Sequence, residues 1–211
     1  MLASGSSYRR ALLEQLGVAF EVDVPDVDES AYKSNNRAPA AVALDLARAK
    51  AHAIQSRRPD AVVIGSDQII HLDGQIFDKP GSVERAVAQL AALSGRTHEV
   101  LTALVVATQH KSYELVATAR LTMRPLGHDA LRAYVERDRP LDCAGSYKLE
   151  SAGAALFDHV DADDPTAIVG LPLAELARIL VALGFEVAQP QDSQRLQTGK
   201  QAPHSSSEVF P

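Results

Sequence analysis

Apolar residues recur along this chain with two different periods, and each switch between them predicts a change from helix to strand. In YRRALLEQLG, the residues Ala11, Leu12, Leu13 and Leu16 fall on one helical face; Ser6 or Ser7 can cap the start and Gly17 can end it. AFEVDV then alternates Phe20, Val22 and Val24 with Glu21 and Asp23, the pattern of a half-buried strand. A second helix is predicted over about 39–57, followed by a buried strand ending at Gly65. Asp73 and Gly74 are a hairpin signal, so 69–72 should pair with 75–77 around them. Next come a helix over 82–93 stopped by Gly95, a strand in THEVLTALVVAT, and a strand in ELVATARLTMR that alternates Leu115, Ala117, Ala119, Leu121 and Met123 with mostly polar neighbours. Helices in HDALRAYVERD and LPLAELARILVALG follow, the last with Pro172 near its first position and Gly184 at its end. The order predicts an α/β fold with a mixed sheet.

Composition sharpens this picture. With 211 residues, 46% of them hydrophobic, the chain can build one substantial core or two lobes that share a sheet. A net charge of −6 excludes a broad nucleic-acid surface or an anionic-membrane surface, so an anionic ligand must be held by a few placed cations. Cys143 is the only cysteine, which rules out an internal disulfide and implies a reducing compartment. The opening MLASGSSYRR is too polar for a signal peptide, and no apolar run reaches the roughly eighteen residues of a membrane helix, so a cytoplasmic location is expected. After Val187 the chain becomes polar and rich in Gln, Ser and Pro; one domain over 1–188 and a disordered tail over 189–211 are expected.

Several residues break the apolar pattern. In VVIGSDQIIHLDGQIFDKP, Asp67 follows an apolar run, where a carboxylate must cap a turn, find a partner or bind a cation. Lys50 shares a helix face with Leu46, Ala47, Ala53 and Ile54, which means either a side chain snorkelling to the edge or a buried anion site. ASGSSYRR places small residues before a helix whose first turn carries Arg9 and Arg10, so backbone N–H groups and guanidinium forks could converge on phosphate; paired arginines on a solvated face are the alternative. Cys143 has no base near it in sequence and reads as a small buried hydrophobe. The seven histidines lack metal-ligand spacing, so a hard cation on carboxylates such as Glu29 and Asp67 is the metal site to expect.

Five ordered segments, LASGSSYRRALLEQLG, PDVDES, LARAKA, IGSDQ…DGQIFDKP and CAGSYKLESAGAALF…VGLPLAEL, resemble the Maf family of nucleotide pyrophosphatases. They extend from Leu2 to about Gly184. The resemblance implies an elongated mixed sheet flanked by helices, with two lobes around a deep nucleotide-binding cleft. It implies hydrolysis of a nucleoside triphosphate to the monophosphate and pyrophosphate, aided by a divalent metal such as Mg or Mn, and a possible homodimer. Asp67 would be the proton acceptor; Ser4, Arg9, Lys50 and Lys79 would bind substrate, with Arg10 a further candidate; Asp67 and Glu29 would hold the metal. Tyr8, Gln68 and Glu150 resemble the branch acting on 7-methyl-GTP rather than the one acting on dTTP and UTP. N7 methylation makes guanine cationic, which suits an aromatic face and a carboxylate. The chain departs from the family pattern in having only Met1 before LAS, Asp78 for a glycine before KP, Ala103 for a glycine, and Thr166 where asparagine is common. Asp78 sets a negative charge beside Lys79. The other activities to weigh are a dTTP/UTP-type pyrophosphatase and a non-catalytic nucleotide-binding regulator of cell division.

Overall fold

The computed structural model describes residues 1–32 and 37–188; the tail expected over 189–211 lies outside the described residues. Strand β1 (Leu2–Ala3) leads into helix α1 (Ser7–Glu14), whose start is capped by the Ser6 hydroxyl accepting from the Arg9 amide. Helix α2 (Pro39–Gln55) begins with its proline at the first turn and precedes strand β2 (Val63–Leu72). The Asp73–Gly74 turn returns the chain as β3 (Gln75–Ile76). Helix α3 (Val83–Leu93) is capped by Ser82, and strands β4 (Thr97–Ala107) and β5 (Ser112–Met123) form a long antiparallel pair. Helix α4 (His128–Asp138), strand β6 (Phe157–Ala162), the short helix α5 (Pro165–Val169) and helix α6 (Leu173–Ala182) complete the order.

The sheet runs β1-β2-β4-β5-β6, with β3 also on β2; β1 is parallel to β2 and the other pairs are antiparallel. The predicted mixed α/β fold is present. Side chains alternate across β2, and the two faces lead to different partners. Ile69 packs with α2 residues including Val42, Leu46 and Ala47, whereas Ile70 and Leu72 pack with Leu90, Leu93, Leu131 and Val135 from α3 and α4. At the other end of that second face, Ile64 joins Leu12, Leu13, Leu176 and Leu180 from α1 and α6. Among the described residues no helix is long and apolar enough to cross a membrane.

The edge of β2 decides where a site can form. Along β4 it is paired from Val63 to His71, but on its other side β1 meets only Ile64 and Gly65, and β3 meets only His71 and Leu72. Phe77 adds one bond to the Ile70 carbonyl. The stretch 66–69 therefore has one open edge among the described residues, and its backbone groups need partners other than a strand.

Several expected elements differ. A single strand passes through Gly65, Ser66, Asp67 and Gln68, so Asp67 lies in a strand interior and does not cap a turn. The polar run misled because an open edge tolerates what a fully paired strand would not. AFEVDV contributes only an isolated bridge between Val22 and Leu2, and Val22 and Val24 stay 41% and 61% exposed. Helix α2 stops two residues short of Arg57, and Pro172 caps α6 from outside its first turn. Strand β6 was not predicted because DHVDA is largely exposed and polar, as an edge strand can be.

Gly65 brings α2 onto β2. A Cβ at this position would lie 2.4 Å from the Ala47 carbonyl oxygen and 2.9 Å from the Ala51 Cβ, so any side chain must push the helix away. Gly65→Ala is expected to destabilise the protein by about 2–3 kcal/mol, lowering Tm by roughly 5–10 °C. Calorimetry checks this; an unchanged Tm would show that α2 shifts freely.

Candidate active site

A cavity of about 600 Å³ opens at the unpaired edge of β2, within the size range of small-molecule sites. Its walls carry Ser4 from the β1–α1 connection, Tyr8 and Arg9 from the first turn of α1, Glu29 from a short 3₁₀ turn, and Lys50 from α2. Asp67 and Gln68 from β2, Lys79 from the segment after β3, and Glu150 complete the predicted set. Nine of the ten residues proposed from sequence thus meet in one space, and Asp78 lines it too. Arg10 lies outside it, exposed and paired with Glu14 at 3.1 Å across one helical turn. That is the solvated face weighed for paired arginines, worth little in stability.

The anomalies at Lys50 and Asp67 explain each other. Lys50 Nζ donates to Asp67 Oδ1 at 2.6 Å and meets Glu29 Oε1 at 2.7 Å. The Lys50 and Asp67 side chains are 11% and 8% exposed, whereas Glu29 is 44% exposed. The ammonium neither snorkels to water nor stays unpaired; it neutralises the Asp67 carboxylate, which would be costly to bury alone. Burial is the largest influence on Asp67 and raises its pKa, with Glu29 adding to the rise and the charges of Lys50 and Arg9 opposing it. A carboxylate shifted this way is suited to accepting a proton.

Arg9 is held from two sides: its Nε donates to the Gly170 carbonyl at 2.9 Å and its Nη1 to Ser4 Oγ at 3.3 Å. These contacts use two of five guanidinium N–H groups, which leaves donors for an anion. Burial lowers the Arg9 pKa while Asp67 and Glu29 raise it, and the guanidinium keeps its charge.

Gln68 faces the other side of β2. Its Nε2 donates to Thr102 Oγ1 at 3.0 Å and to the carbonyls of Ala167 and Ile168 at 3.0 and 2.9 Å. Thr102 donates to the Ala167 carbonyl at 2.7 Å, and Ser66 donates to the Gly170 carbonyl at 3.0 Å. Gln68, Thr102 and Ser66 therefore tie the 167–170 segment to the sheet, and Gly170, at φ 125°, shares its carbonyl between Ser66 and Arg9. Sequence reasoning singled out none of Ser66, Thr102 and Gly170; the one signal was a hydroxyl inside each of two apolar strands.

Tyr8, Asp142, Cys143 and Glu150 share another part of the wall. Burial first, then the neighbouring Cys143, Glu150 and Asp142, raise the Tyr8 phenol pKa. Burial pushes the Cys143 thiol up to about 12, with Asp142 adding to the rise, so the thiol stays protonated and is a poor nucleophile. Among the described residues no cluster of three or more His, Cys, Asp or Glu side chains has metal-site geometry. Asp67 and Glu29 nonetheless bring two carboxylates together beside the Lys50 ammonium, and magnesium is commonly held by one or two carboxylates plus substrate phosphates. This donor set fits such a cation.

A mixed sheet with a polar cavity at a gap in its edge, lined by placed cations and a buried carboxylate, is the framework of a nucleotide-handling protein. The Maf-like protein family model matches residues 1–183, and the chain belongs to the Maf family. It is 46% identical over 188 residues to the 7-methyl-GTP pyrophosphatase of Aromatoleum aromaticum, covering 88% of this chain and 95% of that protein. The 7-methyl-GTP pyrophosphatase of Burkholderia orbicola is 47% identical over 191 residues, covering 88% and 90%, and that of Xanthomonas axonopodis pv. citri is 43% identical over 187 residues, covering 89% and 97%.

Proposed function

We propose that this chain hydrolyses 7-methyl-GTP to 7-methyl-GMP and pyrophosphate. The observation that carries the reading is a buried carboxylate of raised pKa, Asp67, in one cavity with Arg9, Lys79, Tyr8 and Glu150. The names of the similar proteins support the choice of nucleotide.

In this reading Asp67 takes a proton from a water molecule whose oxygen attacks the α-phosphorus. The bond from that phosphorus to the α–β bridging oxygen breaks, and pyrophosphate leaves. Arg9, anchored through Gly170 and Ser4, and Lys79 offset phosphate charge, while Lys50 holds Asp67 and Glu29 in place. A divalent cation, held by Asp67 and Glu29, would supply Lewis-acid neutralisation of the phosphates when bound. Tyr8 and Glu150 receive the methylated base: the ring faces its positive charge, and the carboxylate accepts from its Watson–Crick edge.

The test is direct. Purified protein is incubated with 7-methyl-GTP, GTP, dTTP and UTP in the presence of magnesium or manganese, and pyrophosphate release is measured. Turnover greatest with 7-methyl-GTP is the expected result. A preference for dTTP or UTP would reject the substrate assignment, and binding without turnover would favour a nucleotide-binding regulator.

A further inference from the structure

Two stretches of the cavity wall come from distant parts of the chain. One is the segment after β3, where Asp78 and exposed Lys79 precede buried Pro80; the other is the loop 141–150. The Gly81 amide donates to the Leu141 carbonyl at 3.0 Å. Gln89, on the second turn of α3, makes a second link with both ends of its amide. Its Nε2 donates to the Asp78 carbonyl at 2.9 Å, and its Oε1 accepts from Ser146 Oγ at 2.5 Å. The carbonyl can only accept, so the amide nitrogen must face Asp78.

The Ser146 end of this link is constrained. Ser146 is fully buried with φ +64°, a left-handed conformation that a non-glycine residue holds only where its surroundings enforce it. Gly145 before it has φ +70°, and a Cβ there would fall 2.9 Å from Ile70 Cδ1, so the turn is pressed against β2. The Ser146 hydroxyl is thus delivered to Gln89 by a rigid turn. Cys143 and Glu150, on either side of that turn, line the cavity.

We propose that Gln89 is a positioning residue that sets the spacing between the Lys79 wall and the Cys143–Glu150 wall. Its effect on turnover rests on the pyrophosphatase reading; its effect on the two walls does not. A nucleotide must meet both walls at once, and a misplacement of about 1 Å can cost on the order of a hundredfold in rate. Gln89 itself touches neither phosphate nor base.

Amide hydrogen exchange tests the link on the full-length protein. Gln89→Met removes both contacts and should speed exchange of the Gly81, Cys143 and Ser146 amides by roughly three- to tenfold, the net worth of one or two hydrogen bonds, with Tm lowered by no more than a few degrees. Gln89→Glu keeps an acceptor for Ser146 but sets an oxygen against the Asp78 carbonyl, so only the Gly81 amide should loosen; this variant carries the test if the methionine form does not fold. In the activity assay, KM for 7-methyl-GTP should rise with kcat changed less, and Gln89→Met should add little in a Lys79→Ala background. Unchanged exchange at both segments, or faster exchange spread evenly through the molecule, would overturn the proposal. If wild-type protein releases no pyrophosphate, the pyrophosphatase reading fails, and the exchange result still decides the role of Gln89.

Discussion

Asp67→Asn is expected to lower turnover of 7-methyl-GTP by about 10²–10⁴-fold while the fold and most nucleotide affinity survive. Asparagine keeps the size of the side chain but cannot take a proton from water. The substitution is tolerable structurally because Lys50 retains Glu29 at 2.7 Å, so its ammonium is not left alone. Removing the Asp67 charge also relieves the burial that raises its pKa, which offsets part of the lost ion pair. The measurements are kcat, nucleotide binding by calorimetry and Tm on one preparation. Activity within a few-fold of wild type would reject the base role proposed for Asp67.

Glu150→Gln should reduce kcat/KM for 7-methyl-GTP by roughly ten- to hundredfold, and much less for GTP, because a hydrogen bond to a charged group contributes on the order of 1.5–3 kcal/mol. Glutamine has nearly the same volume but loses both the charged acceptor and the attraction to a cationic base. The structure separates this effect from simple destabilisation. The turn before Gly153 is closed by Ser151, whose hydroxyl donates to Asp138 Oδ2 at 2.8 Å and whose amide donates to the Lys148 carbonyl at 3.2 Å. Glu150 itself is exposed at the cavity wall. Tyr8→Ala should act in the same direction by a smaller factor, through lost cation–π attraction. Equal losses for methylated and unmethylated nucleotide would remove the specificity assignment and leave the pyrophosphatase assignment standing.

The helices were legible because their ends carry chemistry: Ser6 and Ser82 cap as their positions suggest, Pro39 sits in a first turn, and Asp73–Gly74 makes the hairpin. The sheet was read less well. Periodicity assumes an element with one uniform environment, and β2 changes environment midway, from paired on both sides to open along 66–69. Strand β6 has too few buried side chains to produce an alternating pattern. At the site, the charged residues stood out because Lys50 and Asp67 interrupt apolar faces, while the roles of Ser4, Tyr8 and Glu150 came from family resemblance. Ser66, Thr102 and Gln89 were invisible for a different reason. An uncharged hydrogen-bonding side chain fits many environments, and only the folded chain shows which carbonyl it meets.

The unbroken ladder between β2 and β4 ties catalysis to strand register. Asp67 is opposite Ala103 on the α2 face, and Gln68 is opposite Thr102 on the other. A slip of one residue would exchange the faces of every side chain in β2. In the direction that offers Gln68 to Lys50, the Asp67 carboxylate would take the place of Ser66 against the Gly170 carbonyl, where it could accept no hydrogen bond and would meet like polarity. The misregistered strand would lose its acid and its strut together. Gly65, which alone admits α2 at its close approach, stands two residues before Asp67 and would be replaced at the contact by a residue with a side chain. The same residues that form the proposed site thus discriminate against the wrong pairing while the sheet assembles.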